Sequence, residues 1–309
     1  MKLSIVATLY QSAPYLIEFY ERASSAARTL CEDEYEIVFV NDGSPDNSLA
    51  LAIQLTEKDP HVSVVDLSRN FGHHKAMMTG LSHTKGERIF LIDSDLEEDP
   101  ECLISFSQQM EREACDVVYG VQEKRKGSWF ERWSGQLFYH SFRALTGLAI
   151  PINIVTARLM TRRYVEALLR HQEREVFLAG LWYITGFEQR PQTVTKHHSS
   201  ATTYTFRKKV SVLVNSVTSF GNAPLIGIFY IGAFISILAV FYIAYLVINR
   251  IFLATPLVGW TSVIASIWLL GGMIILFMGI IGIYLSKIFS ETKQRPYTIV
   301  RHIYARHQR

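Results

Sequence analysis

From residue 210 to residue 286 the chain carries a single charge, Arg250. Two apolar runs fill that interval, 225–248 and 261–285, each longer than the ~20 residues a helix needs to cross a bilayer. Such runs are either helices of a large soluble core or membrane spans. The rest of the 309-residue chain supplies no core large enough to wrap two of them, so composition favours spans. Charge is divided in the same way. Residues 1–206 hold 21 Lys and Arg against 27 Asp and Glu, whereas residues 207–309 hold 10 against 1. The overall +3 therefore joins an acidic part to a basic, apolar end, an asymmetry that suits a membrane and not nucleic acid. Arg207, Lys208 and Lys209 precede the runs, and Lys287, Lys293 and Arg295 follow them. The positive-inside pattern puts both chain ends in the cytoplasm. Residues 207–220, basic only at their start, read as an amphipathic helix lying in the interface.

Ahead of this end, short β-rich runs alternate with helix-length segments. Strands are expected near residues 3–9, 35–40, 62–67, 88–93 and 116–121, with helices near 12–30, between the second and third strands, at 73–83 and from Pro100. That alternation predicts an α/β fold with a mostly parallel sheet covered on both faces. The loops after the strands then lie on one sheet edge, where open α/β sheets bind ligands. Helix 129–146 carries Trp129, Phe130, Trp133, Phe138, Tyr139 and Phe142, which suit a groove for an isoprenoid, core packing, or a membrane-interface belt. Cys31, Cys102 and Cys115 have neither paired nor metal-type spacing and read as reduced thiols of a cytosolic compartment. Met1-Lys2 runs straight into the first strand, with no signal peptide.

The chemistry concentrates where the fourth strand ends, in Asp93-Ser94-Asp95. Two carboxylates one residue apart at a strand end suit a hard divalent cation whose other positions go to water and phosphate oxygens; a solvated turn is the bland alternative. His73-His74 and His197-His198 lack a Cys or the usual ligand spacing and read as polar loop or helix-start residues.

Several segments, taken in order, resemble the family-2 glycosyltransferases of GT-A fold. They are Val40-Asn41-Asp42-Gly43-Ser44; Ser68-Arg69-Asn70-Phe71-Gly72 with Ala76 and Gly80; Asp93-Ser94-Asp95-Leu96 with Pro100-Glu101; Arg158-Leu159-Met160; Ser219-Phe220 before Pro224-Leu225; and Lys293-Gln294-Arg295-Pro296-Tyr297. Within that family the chain is similar to the polyprenyl-phosphate glycosyltransferases, such as dolichol-phosphate mannose synthase and the bactoprenol glucosyltransferases. Four departures from the pattern stand out. Gln11-Ser12 replaces an Asn-Glu. Leu96-Glu97-Glu98-Asp99 replaces Leu-Gln-Asp-Pro. Val155-Thr156-Ala157 lacks the usual acid, and 196–204 lacks the usual Arg, Gly, Ser and Lys richness.

The resemblance implies a cytoplasmic GT-A domain over 1–205, the interfacial helix at 206–222, two transmembrane helices within 223–288 and a basic tail at 289–309. It implies transfer of a hexose or N-acetylhexosamine from a nucleotide sugar, UDP-linked above all, to a polyprenyl (undecaprenyl) phosphate at the bacterial inner membrane, with inversion and with Mg²⁺ or Mn²⁺. Asp93 and Asp95 are then the catalytic pair, and Asp95 and Glu97 the metal ligands. Thr8, Tyr10, Asp42, Arg69, Asp93 and Ser94 bind the nucleotide sugar. For Asp42 the alternative is a turn or capping role, and for Arg69 an exposed salt bridge. Lys124, Arg125, Arg132 and Arg158 are candidates for the acceptor phosphate, against a solvated charge run for the first three. An isolated Arg158 in an apolar stretch requires a partner. Gly227, Gly232, Gly271, Gly272, Gly279 and Gly282 permit close helix packing and a homo-oligomer. Two other functions remain open: a processive polysaccharide synthase, for which the Gln-x-x-Arg-Trp signature and further spans are missing, and a non-catalytic sugar-nucleotide-binding partner of a flippase.

Overall fold

The structure, a computed structural model, describes residues 1–122, 143–147, 153–174, 176–197, 214, 217–218, 221–253 and 259–306. In chain order the elements are β1 (Leu3–Leu9), α1 (Leu16–Cys31), β2 (Tyr35–Asn41), α2 (Ser48–Lys58), β3 (Val62–Leu67), α3 (His73–Ser82), β4 (Arg88–Leu91), α4 (Cys102–Glu113), β5 (Val117–Gln122), β6 (Ile154–Thr161), α5 (Arg162–Leu169), α6 (Leu178–Ile184), β7 (Gln189–Val194), α7 (Ala223–Leu253), α8 (Trp260–Thr292) and β8 (Val300–Ala305). Two compact units result. One holds all eight strands; the other consists of residues 140–148 and 205–294 with the two long helices. The expected helix at 129–146 lies outside the described residues except for 143–146, and most of the expected interfacial helix lies outside them too.

The strands form one sheet in the order β7-β5-β6-β4-β1-β2-β3-β8. β1 pairs parallel with β2 and β4, and β2 with β3, so the carboxyl ends of four strands share one edge. The parallel strands are buried on both faces: every residue of β1 and β2 is buried, as a sheet layered between helices requires. α3 lies close on the sheet because position 80 has no side chain; a Cβ there would strike the side chains of Val6 and Val40.

Past β5 the topology changes sign. β6 runs antiparallel between β4 and β5, with Leu91 opposite Arg158, and β7 returns parallel to β5. The tail expected to be free beyond 289 also enters the sheet. β8 pairs antiparallel with β3, Arg301 donates from Nη2 to the Ser68 carbonyl at 2.5 Å, and Thr298 and Thr79 share a hydroxyl contact of 2.7 Å. No residue of β8 is buried, and Arg301 and His302 lie on it, as befits an edge strand open to water.

In the second unit α7 and α8 are 31 and 33 residues long. Both contain a segment long and apolar enough to cross a membrane, Ala223–Tyr242 and Ser266–Thr292. Their large apolar side chains face outward, Trp268 at 79% exposure and Ile275 at 73%.

Candidate active site

The loops at the carboxyl edge are tied together by their own polar side chains. Ser94, buried after β4, donates its hydroxyl to the Thr8 carbonyl at 2.7 Å and shares a 2.9 Å hydroxyl contact with Ser12 Oγ. The Asp42 carboxylate accepts N–H bonds from Phe71 at 2.7 Å and Gly72 at 3.0 Å. Burial pushes its carboxyl up from the usual range despite those two bonds. Asp42 therefore clamps the β3–α3 loop. Gly43, at φ +61°, lets the backbone pass directly against Arg69 and Asn70, where a Cβ would collide. Arg69 is exposed, lies over the Phe71 ring at 4.1 Å and donates to the Asn70 carbonyl at 2.9 Å, with no ion pair among the described residues. Tyr10 is half exposed beside this edge.

The acid loop is built around one unusual residue. Leu96 adopts φ +58°, a left-handed conformation rare for a side chain of this kind, and the chain turns there so that the Glu97 N–H donates to Asp95 Oδ1 at 3.0 Å. Burial raises the Asp95 carboxyl, and the neighbouring charges of Asp93 and Glu97 raise it further against that N–H bond and Lys196. Asp93 behaves oppositely. Burial works against its charge, but it is lowered overall by His73 and by the Thr156 hydroxyl. His73 Nε2 is 3.1 Å from Asp93 Oδ1, and its Nδ1 is 3.1 Å from Thr8 Oγ1. Glu97 Oε2 is 2.7 Å from Lys196 Nζ. Glu98, almost completely buried, accepts the Thr156 N–H at 3.3 Å and the Ala157 N–H at 2.7 Å; burial and the Asp93 charge push it up to about 7.

Thr8, Tyr10, Asp42, Arg69, Asp93, Ser94, Asp95 and Glu97 thus all belong to the loops of one sheet edge or to the strand ends feeding it. Arg158 is in a different environment. It is 2% exposed, its guanidinium is stacked 2.9 Å from the Trp182 ring centre, and it donates to the carbonyls of Val155 and Thr156. The partner an isolated arginine requires is an aromatic face and two carbonyls. Lys124, Arg125 and Arg132 lie outside the described residues.

Four residues at this edge escape a sequence reading. His73 looked like a polar helix start and contacts Asp93; Thr156, in the stretch without the usual acid, helps lower the Asp93 carboxyl; Glu98 and Lys196 complete the cluster. Lys196 is about a hundred residues from its partners, so no local pattern could announce it. Asp93, Asp95 and Glu97 offer only oxygen, the donor type a hard divalent cation takes. Among the described residues no three carboxylate, imidazole or thiol groups converge as a cation site, and Glu97 is held by Lys196.

With this geometry in hand, comparisons identify relatives. The family model described as Glycosyl transferase family 2 matches residues 4–169. The chain is 53% identical over 304 residues to a protein of Mycobacterium tuberculosis (strain CDC 1551 / Oshkosh) named among glycosyltransferases, covering 98% of this chain and 89% of that one. It is 29% identical over 303 residues to the bactoprenol glucosyl transferase of Shigella phage SfX, covering 97% of this chain and 99% of that one. In fold it resembles a mannosyltransferase from Pyrobaculum calidifontis solved with GDP-Man and Mn²⁺, at a TM-score of 0.50 and 15% identity, covering 95% of this chain and 86% of that one.

Proposed function

The chain belongs to glycosyl transferase family 2, and from that premise we propose that it moves one sugar from a nucleotide sugar, a UDP-hexose or UDP-N-acetylhexosamine, to a polyprenyl phosphate at the membrane. The observation that carries this reading is the span of the bactoprenol glucosyl transferase match, which takes in both the acid loop and the two apolar helices. In the same reading 1–205 is the cytoplasmic transferase domain, 206–222 the interfacial helix, 223–288 the two spans and 289–309 the cytoplasmic end, in a bacterial inner membrane.

The donor enters over the carboxyl edge. Asp42 and Arg69 take the base and ribose end, Thr8, Tyr10 and Ser94 line the floor, and Asp93 lies by the ribose and diphosphate. Asp95 and Glu97 would hold Mg²⁺ or Mn²⁺, which when bound neutralises charge on the departing diphosphate. Lys124, Arg125 and Arg132 receive the acceptor phosphate; Arg158 contributes only when Trp182 moves off its guanidinium. An oxygen of that phosphate attacks the anomeric carbon as the bond to the UDP oxygen breaks, and the electron pair leaves with UDP. The attacking oxygen is already anionic near neutral pH, so no general base is needed, and a single in-line displacement inverts the anomeric centre.

The test is purified full-length protein in detergent, undecaprenyl phosphate, Mg²⁺ or Mn²⁺, and a panel of labelled nucleotide sugars, with mass spectrometry of the organic phase. An acid-labile lipid-phosphate-sugar of inverted configuration is expected. Label in a growing polymer would point to a processive synthase, and no turnover with any donor to a non-catalytic binding protein. A reporter fused after Arg309 should read cytoplasmic, and one near Thr255 should read on the far side.

A further inference from the structure

Five acids lie within the seven residues 93–99, and their partners are unevenly assigned. Asp93 has His73, and Asp99 has Arg22 at 2.6 Å and His197 at 3.0 Å. Glu97 and Glu98 share one ammonium, that of Lys196, at 2.7 and 4.0 Å. Lys196 is not a wandering surface lysine. The chain just after β7 is fastened along the loop by a bridge between Glu98 and Lys196, by the His197 N–H donating to the Glu97 carbonyl at 2.7 Å, and by His197 against Asp99. The ammonium is therefore delivered to Glu97 by backbone pairing, and the Glu97 side chain is only 14% exposed there. Burial works against the Lys196 charge, yet Glu97 and Glu98 raise its affinity for the proton, so it stays cationic.

A divalent cation coming to Asp95 and Glu97 meets this ammonium on the same carboxylate. If both used Glu97 they would stand at the separation of neighbouring ligands, where two cations repel.

We propose that Lys196 is a tethered counter-ion that occupies the cation position on Glu97 in the ligand-free protein and lowers the loop's affinity for divalent metal, leaving Glu97 when the metal binds. The inference rests on reading the acid loop as the metal and donor site, and it adds the residue that competes for that site.

The experiment measures Mn²⁺ binding directly, by loss of the free-ion electron paramagnetic resonance signal, on full-length protein in detergent without nucleotide sugar. Lys196→Met should bind Mn²⁺ at least about fivefold tighter, the effect of removing one positive charge from a nearby, partly screened position. Lys196→Arg, which keeps the charge and guards against a folding defect in the first variant, should stay within about twofold of wild type. In a Glu97→Gln background the gain from Lys196→Met should shrink to under about twofold, because the two residues act as a pair. Unchanged or weaker binding in Lys196→Met overturns the proposal, as does an equal gain with and without Glu97, or no Mn²⁺ binding in any variant. The reading beneath it fails separately, when wild-type protein makes no lipid-linked sugar from any donor although Lys196→Met tightens Mn²⁺.

Discussion

The sheet unit and the helical unit are both rich in apolar residues and bury them in opposite ways. In the sheet unit Ile5, Ile37, Phe39 and Phe90 are wholly inside, and the exposed edge is given to carboxylates, hydroxyls and imidazoles. In α7 and α8 the residues that would form a core are the surface, with Phe241 at 69% exposure and no acid between Ala223 and Ser290. An apolar side chain facing outward on a monomer is normal singly; rows of them along two long helices mark candidate membrane spans. The contrast separates the two regions: the sheet unit exposes a polar edge, and the helices expose apolar side chains.

The largest expected effect tests that separation. Asp95→Asn should cut sugar transfer by about a thousandfold or more, several kcal/mol of transition-state stabilisation. Extraction from membranes should need the same detergent as wild type. Wild-type rates for both Asp95→Asn and Asp93→Asn would place the chemistry elsewhere. A matched pair of truncations comes next. Phe90→Ala removes a fully buried ring that meets Phe106 edge-on at 6.2 Å between centroids, and should cost about 3–5 kcal/mol. Ile275→Ala on α8 should change the unfolding of the sheet unit by less than about 0.5 kcal/mol. Equal effects in calorimetry or denaturant titration would erase the distinction between the two regions.

A charge reverses the comparison. Ile275→Arg should oppose membrane integration by about 3 kcal/mol, read as a shift of protein into the carbonate-extractable fraction. The same fraction as wild type would argue that α8 is not surrounded by lipid.

The smallest effect concerns Asp46, which ties the β1–α1 turn to the start of α2. Burial works against its charge, but the hydroxyls of Ser44 and Ser48 and the N–H groups of Ser48 and Ala13 hold it down to about 2. A carboxyl lowered by folding stabilises the fold above its ordinary value near 3.8 and loses that contribution as pH falls towards 2. Asp46→Ala should therefore lower stability by about 1 kcal/mol at pH 7. The gap to wild type should close between pH 4 and pH 2 in melts at constant ionic strength. A gap independent of pH would assign the loss to packing.

Much of this protein is legible along the chain, because the responsible forces are local. Short continuous apolar runs alternating with helix-length segments mark the parallel half, and two uncharged runs announce α7 and α8. Asp93-Ser94-Asp95 advertises itself as a cluster of carboxylates after a buried strand. Boundaries moved by a few residues: β4 ends at Leu91, two residues before Asp93, and α1 begins at Leu16, after a turn in which the Ser12 carbonyl accepts the N–H groups of Tyr15 and Leu16.

What the tertiary structure alone decided are pairings between residues far apart in sequence. No periodicity says that β6 inserts antiparallel beside β4, that Val300–Ala305 returns to close the β3 edge, or that Arg158 lies under Trp182. Nor does any motif say that both Asp42 oxygens are used by the Phe71 and Gly72 amides, or that Lys196 is brought onto Glu97. Strand order and ion pairing depend on which distant segments meet once the chain has collapsed. A side chain's partner is then set by the geometry of the sheet, while its neighbours in sequence determine only whether it lies on a strand, a helix or a loop.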